Sequence, residues 1–109
     1  MAHDPGVAEL LRGDLADLED LDERRMFGAL GFMWGGHLLC AALAEGAMIR
    51  VGKPGMEAAL ARPGVAPMRT GAREMGGFVA VSSDGLADDA ARDALLRLAR
   101  ACVEALPAR

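Results

Sequence analysis

Residues 25–52 read RMFGALGFMWGGHLLCAALAEGAMIRVG and contain three apolar runs separated by short turns. The first two runs, residues 26–33 and 38–43, flank a Gly-Gly pair at 35–36. Such a pair suits the two positive-φ positions of a type I′ turn, which joins the strands of a β-hairpin. The third run, residues 48–51, follows another tight turn. The stretch therefore predicts three successive antiparallel strands.

The composition predicts one domain with an aliphatic core. The 109 residues are 52% hydrophobic, with one Trp, three Phe and no Tyr, so Leu, Val, Ala and Met must build most of the core. A chain of this length buries about two-thirds of its unfolded surface, which is enough to fold without metal or disulfides. Cys40 and Cys102 fall in different predicted elements and have no zinc-type spacing. We therefore expect buried free thiols, no disulfide and no bound metal.

Three segments have the spacing of amphipathic helices. The first follows Asp4, a potential cap, and leucines three and four residues apart continue its apolar face to Leu21. The second is a short helix that begins near Met56 and ends before Pro63. The third begins at Asp88 or the residue after it, and its wide apolar stripe predicts burial against a sheet. That stripe has two rows, Ala91, Leu95, Leu98 and Cys102, and Leu96, Ala99, Val103 and Leu106.

Two further strands complete the predicted fold. One covers residues 65–70, where Pro67 confines it to an edge, and the other covers residues 77–82. Residues 22–25 are expected to carry the chain into the first strand, and residues 71–74 and 83–85 to form turns. The order α-β-β-β-α-β-β-α predicts an α+β fold, a two-layer sandwich of about five antiparallel strands with helices on one face.

A series of short motifs, in order and at consistent spacing, resembles the TfoX N-terminal domain family over about residues 22–107. The motifs include RMFG at 25–28, the hairpin into 38–43, MIRVG at 48–52, PM at 67–68, TG at 70–71 and MGGFVAV at 75–81. The resemblance implies a two-layer fold similar to the secretion-chaperone-like group. It transfers no catalytic residue, because the family has none established.

The family takes its name from larger regulators of natural competence, in which this domain precedes a helical C-terminal domain. The resemblance implies that residues 1–109 form one stand-alone domain, with residues 1–4 as a tail. We expect it to be cytoplasmic and not attached to a membrane. The N-terminus lacks the basic start and apolar core of a signal peptide. Gly or charged residues interrupt the longest apolar runs, so none predicts a membrane span.

The sequence assembles no catalytic, cofactor or metal site. The hydroxyl side chains of Thr70, Ser82 and Ser83 lie outside any nucleophile motif. His37 is expected at an exposed hairpin tip, and the acidic pair at 88–89 is better explained as a helix cap. The Gly pairs do not precede helices as phosphate-binding loops do. We expect no enzyme activity and no cofactor.

Three classes of function remain open. The preferred one is a small non-catalytic regulatory or protein-interaction module, whose exposed sheet edge can bind an unknown protein or its own copy as a homodimer. The second is a nucleic-acid-associated transcriptional regulator, disfavoured by a net charge of −4 and few aromatic residues for stacking. The third is a small-molecule binder or enzyme with a pocket between helix and sheet, for which no convergent polar set is evident.

Basic residues in the middle of the chain supply a candidate interaction surface. Residues 24–80 contain seven basic and three acidic residues, whereas the first 23 residues are strongly acidic. The candidate surface consists of Arg25, Arg50, Lys53, Arg69 and Arg73. Six methionines spread over the same elements fit either core packing or an adaptable, Met-lined binding groove.

Overall fold

The computed structural model describes residues 2–107, which form six strands, four α-helices and one 3-10 turn. In chain order these are α1 (Pro5–Asp14), β1 (Leu21–Met26), β2 (Ala29–Trp34), β3 (His37–Ala42), β4 (Ala47–Arg50), the 3-10 turn (Lys53–Gly55), α2 (Met56–Leu60), β5 (Val65–Thr70), β6 (Arg73–Val81), α3 (Ser83–Leu86) and α4 (Asp89–Glu104). The strands form one antiparallel sheet in the order β1-β2-β3-β4-β6-β5. The α+β prediction is confirmed, with one more strand than the five expected.

The additional strand is β1, because the run predicted as one strand over 26–33 is a hairpin. Residues 22–25, expected to lead into a strand, form most of β1 itself. The chain then reverses at Phe27 and Gly28, whose φ angles of 49° and 82° are both positive, as a type I′ turn requires. The second hairpin turn, at 35–36, was predicted correctly and has φ angles of 60° and 85°.

Three other boundaries differ from the prediction. Helix α1 ends at Asp14, although the apolar face continues because Leu15 is fully buried in the turn that follows. Strand β6 begins at Arg73, so the turn before it is shorter than expected. The predicted turn at 83–85 lies within α3, which Ser82 caps by accepting a hydrogen bond from the Gly85 amide at 3.1 Å.

All helices pack on one face of the sheet. Helix α4 lies over β3 and β4, α1 over β3, and α2 over β5 and β6. The strand registers align the core-facing side chains in two rows, Leu30, Ala42, Ala47 and Val81, and Phe32, Cys40, Ile49 and Val79. Leu11 of α1 and Leu95 of α4 are fully buried against these rows. The two-layer arrangement is therefore as predicted.

Two arginines of α4 hold the C-terminal end of α1. The side chain of Arg92 is 7% exposed and forms an ion pair with Asp14. Its guanidinium also donates to the carbonyl of Leu86 at 2.7 Å. Arg100 donates to the carboxylate of Asp17 at 2.9 Å and to the backbone carbonyl of Asp14 at 3.0 Å. Elements from opposite ends of the described chain are thereby fastened together.

Replacing Leu95 with alanine is expected to lower the free energy of unfolding by about 2–5 kcal/mol, the usual cost of emptying a fully buried leucine site. Leu98→Ala is expected to cost less, since Leu98 is only partly buried at the edge of the same core. Urea titration of both variants measures the difference. Losses below about 1 kcal/mol for both would contradict the packing of α4 on the sheet.

Within residues 2–107, every helix is too short or too polar to cross a membrane.

Candidate interaction surface

The face of the sheet opposite the helices carries an apolar patch, called here the open face. Its residues alternate with core residues along the strands, so that Met48 and Arg50 flank the fully buried Ile49. Met48 is itself only 7% exposed, and the other residues of this face are partly exposed. The open face consists of Met33, Leu38, Met48, Arg50 and Phe78. None of these belongs to the core cluster that the helices cover. Apolar side chains therefore line a face over which the described chain places no helix.

Arg50 is held flat across this patch. It faces Phe78 directly across the β4–β6 pair, and its guanidinium lies 5.4 Å from the centre of the Phe78 ring. One N–H donates to the backbone carbonyl of Leu38 at 3.3 Å. Within residues 2–107 Arg50 has no carboxylate partner. A positive charge with free planar donors is thus presented in apolar surroundings.

Four of the five predicted basic residues lie towards one end of the sheet, called here the basic end. Arg50 closes β4, and Lys53 follows it in the 3-10 turn. Arg73 begins β6, the strand that pairs with β4. Arg69 lies near the end of β5 and reaches Glu74 of β6 at 3.4 Å. The fold therefore collects these four charges beside the open face.

Arg25 does not join the basic end. It lies in β1, at the opposite edge of the sheet from β5. Five strand spacings of about 4.8 Å each separate the two edges. Arg25 also lies in the row of Leu30 and Val81, so it is at the far end of β6 from Arg73. The five residues predicted as one surface are therefore divided between two places.

The methionines also divide. Met33 and Met48 lie on the open face, and Met26 lies beside them over Gly31. A Cβ atom at position 31 would lie only 2.8 Å from Cε of Met26, so glycine makes room for this flexible side chain. Met56 instead packs against the core. Core packing thus explains Met56, and a Met-lined binding groove on the open face stays a prediction.

Phe27 is a candidate contact residue that the sequence reasoning missed. Its side chain is fully exposed at the tip of the β1–β2 hairpin. Its positive φ of 49° is uncommon for a bulky residue. The signal for this turn in the sequence is the Phe-Gly pair between the two strands. It is easily overlooked, because type I′ turns usually contain Asn-Gly or Gly-Gly.

The prediction of an exposed His37 is wrong. The side chain is half-buried, and its Nε2–H donates to the carbonyl of Pro107 at 2.6 Å. Trp34, Val103 and Leu106 line the same small recess. The imidazole therefore joins the β2–β3 hairpin to the segment after α4.

The predicted cap of α4 is present, and of the two thiols predicted to be buried only that of Cys40 is fully buried. Asp88 caps α4 as expected, accepting from the Ala90 amide at 3.0 Å. Cys40 is free and buried, and burial raises the pKa of its thiol to about 12, which keeps it protonated and unreactive. Cys102 is free but only partly buried.

One apolar cleft bears on the idea of a small-molecule site. It lies between the 3-10 turn and α4, has a volume of about 370 Å³, and Cys102, Leu98 and Pro54 are among its walls. Lys53 is the one charged residue at its rim, so no set of polar groups converges in it. Nor do three His, Cys, Asp or Glu side chains come together as a metal would require anywhere in residues 2–107.

Comparison with known proteins identifies a family. The model of the TfoX N-terminal domain matches residues 14–106, from the end of α1 to just past α4. The match includes every strand of the sheet. No curated protein and no solved structure matches the chain.

Proposed function

The chain belongs to the TfoX N-terminal domain family, and from this premise we propose that it is a small, non-catalytic regulatory module that binds another protein on its open face. The observation that carries the proposal is the open face itself, which is apolar yet lies outside the helix-covered core. Met33, Leu38 and Phe78 are partly exposed on this face, and accessible contiguous apolar surface marks interaction sites in soluble proteins. The partly exposed Met33 suits such a role because methionine adapts to different partners.

The partner that fits is a protein segment with both apolar side chains and carboxylates. Apolar side chains of the partner would pack against the methionines and Leu38 of the open face. A carboxylate of the partner can accept two parallel hydrogen bonds from the guanidinium of Arg50. The basic end adds Lys53 and Arg73 at the end of the sheet where Arg50 lies. Charge complementarity of this sort raises the association rate and suppresses wrong partners.

The absence of catalysis is part of the proposal, and the geometry of the polar residues supports it. The hydroxyl of Ser82 is used in capping α3, and the imidazole of His37 is used in binding the carbonyl of Pro107. Neither side chain is placed to activate the other. We propose a cytoplasmic location as well, because the free thiols of Cys40 and Cys102 suit a reducing compartment.

The partner can be identified by site-specific photo-crosslinking in the native cell. A photoreactive side chain at Met33, a partly exposed residue of the open face, is expected to capture a protein partner that the same group at Arg97 does not. Arg97 is a suitable control because it lies on the exposed side of α4. Capture of nucleic acid at Met33 would support the second class of function instead.

Replacing both Arg50 and Arg73 with glutamate is expected to weaken binding of the purified partner by about tenfold or more, because two attractive charges become repulsive. The fold should persist, since both side chains are solvent-accessible. Calorimetric titration measures the dissociation constant, with Arg62→Glu/Arg97→Glu as a control that makes the same change in net charge at exposed positions outside the surface. Unchanged affinity, or sequence-selective DNA binding at about 150 mM salt, would overturn the proposal.

A further inference from the structure

We infer that a second copy of the chain pairs with the outer edge of β1, in antiparallel orientation about a twofold axis. This inference rests on the proposed function, because it names one protein partner. It uses a different part of the molecule, since the contact is the edge of the sheet and leaves the open face accessible.

The outer edge of β1 is available for another strand. Within residues 2–107, β1 pairs only with β2, so the backbone groups on its other side have no strand beside them. β1 is six residues long and contains no proline. At the other edge of the sheet, Pro67 lies within β5 and supplies no N–H to an added strand. Of the two edges, β1 is the better template for strand addition.

The charges along β1 complement those of the same strand reversed. Residues 22–25 read acid, acid, base, base. A twofold axis perpendicular to the sheet keeps every side chain on its own face, so opposed residues must be an even number of positions apart. With the axis at Glu23, Asp22 of each copy faces Arg24 of the other. Parallel pairing would instead place like charges beside each other.

Asp22 and Arg24 are free to make these contacts. Both side chains are exposed, and neither forms an ion pair within the part of the chain that the structure describes. Opposite charges directly across two antiparallel strands stabilise the pair, and like charges destabilise it. The proposed register satisfies two such pairs at once.

The residue on the axis, Glu23, already has its charge balanced. Arg12 of α1 donates to its two carboxylate oxygens at 2.6 and 2.9 Å, and this lowers the pKa of Glu23. At the axis the two Glu23 carboxylates therefore meet with each already neutralised by Arg12 of its own copy. Moving the axis by one residue would set against each other either two unpaired Arg24 guanidiniums or two unpaired Asp22 carboxylates. The register centred on Glu23 is favoured for that reason.

Charge reversal on β1 tests this register. Asp22→Arg alone and Arg24→Asp alone each replace two attractive pairs with two repulsive ones, so each should weaken the dimer by about tenfold or more. The double variant Asp22→Arg/Arg24→Asp restores both pairs and should dimerise like the parent. An equimolar mixture of the two single variants should form a heterodimer. Sedimentation equilibrium over a range of concentrations measures each association.

Matched controls separate this effect from net charge and from unfolding. Arg62→Asp and Glu57→Arg make the same charge changes at exposed positions outside β1, and both should leave the dimer intact. Circular dichroism and thermal melting check the fold of every variant. A parent chain that stays monomeric up to about 1 mM, or single reversals that leave the dimer unchanged, would overturn the inference.

The same variants distinguish this inference from the proposed function. Arg50→Glu/Arg73→Glu should still dimerise, because neither residue is in β1. Conversely, the single β1 variants should still bind the open-face partner as monomers. If the β1 variants lose the dimer but keep partner binding, and the Arg50/Arg73 variant does the reverse, the two contacts are separate. Failure of one contact then does not count against the other.

Discussion

Replacing Arg92 with alanine is expected to lower the free energy of unfolding by about 3–5 kcal/mol, the usual cost of breaking a buried ion pair on one side. Arg92 binds Asp14 across the helix interface and Asp89, one turn earlier in α4, at 2.9 Å. It also satisfies the carbonyl of Leu86. The change would leave the carboxylate of Asp14 and this carbonyl without their partner, and would open a space between α1, α3 and α4.

Arg97 of the same helix provides the control. Its ion pair with Asp93 also lies within α4, but its side chain is 79% exposed, so Arg97→Ala should cost no more than about 0.5 kcal/mol. Urea titration of both variants gives the two values. If they are similar, Arg92 does not hold α1 to α4 in solution. A double-mutant cycle with Asp14→Ala then measures the coupling between Arg92 and Asp14 directly.

The second large effect is expected at Gly46, in the turn between β3 and β4. Its φ is +76°, and a Cβ atom there would lie 2.1 Å from the carbonyl oxygen of Val81. Both the backbone of Gly46 and the end of β6 would have to move. Gly46→Ala should therefore cost about 3 kcal/mol or more, combining the left-handed conformation with the overpacking.

Gly13→Ala is the matched control for this substitution. Gly13 lies in α1, and an added Cβ would meet no atom within 4 Å. Alanine there should raise stability by about 0.5–1 kcal/mol, since glycine inside a helix costs conformational entropy. Thermal melting of the two alanine variants should move in opposite directions. A Gly46→Ala protein as stable as the parent would contradict the close approach to Val81.

The parts of the fold that were predictable depend on strong local signals. A Gly-Gly turn, the proline in β5 and the wide apolar stripe of α4 each act through backbone geometry or helical spacing, so the sequence pattern is enough. β1 was missed because an edge strand needs few buried side chains. Only Leu21 at its start packs against the core, and the four residues after it are charged and exposed.

The candidate surface was predictable only where a local sequence pattern determines it. The alternation of residues around Ile49 is a local signal that Arg50 lies on the side of the sheet away from the core. Its stacking on Phe78 depends on β4 pairing with β6, a contact between residues 28 positions apart that no local pattern reveals. Arg25 was grouped with the wrong neighbours because β1 had not been recognised as a separate strand. His37 was misplaced because its partner, Pro107, comes from the far end of the described chain.

The position of α4 over the middle of the sheet affects how the protein can form on the ribosome. α4 is the last helix of the described chain to be synthesised, yet it covers β3 and β4, which are among the earlier elements. Until α4 emerges, the part of the inner side over β3 and β4 that α4 covers is left exposed. Stable folding must therefore wait until α4 has been synthesised, and a chain stalled before residue 89 would expose an aggregation-prone surface.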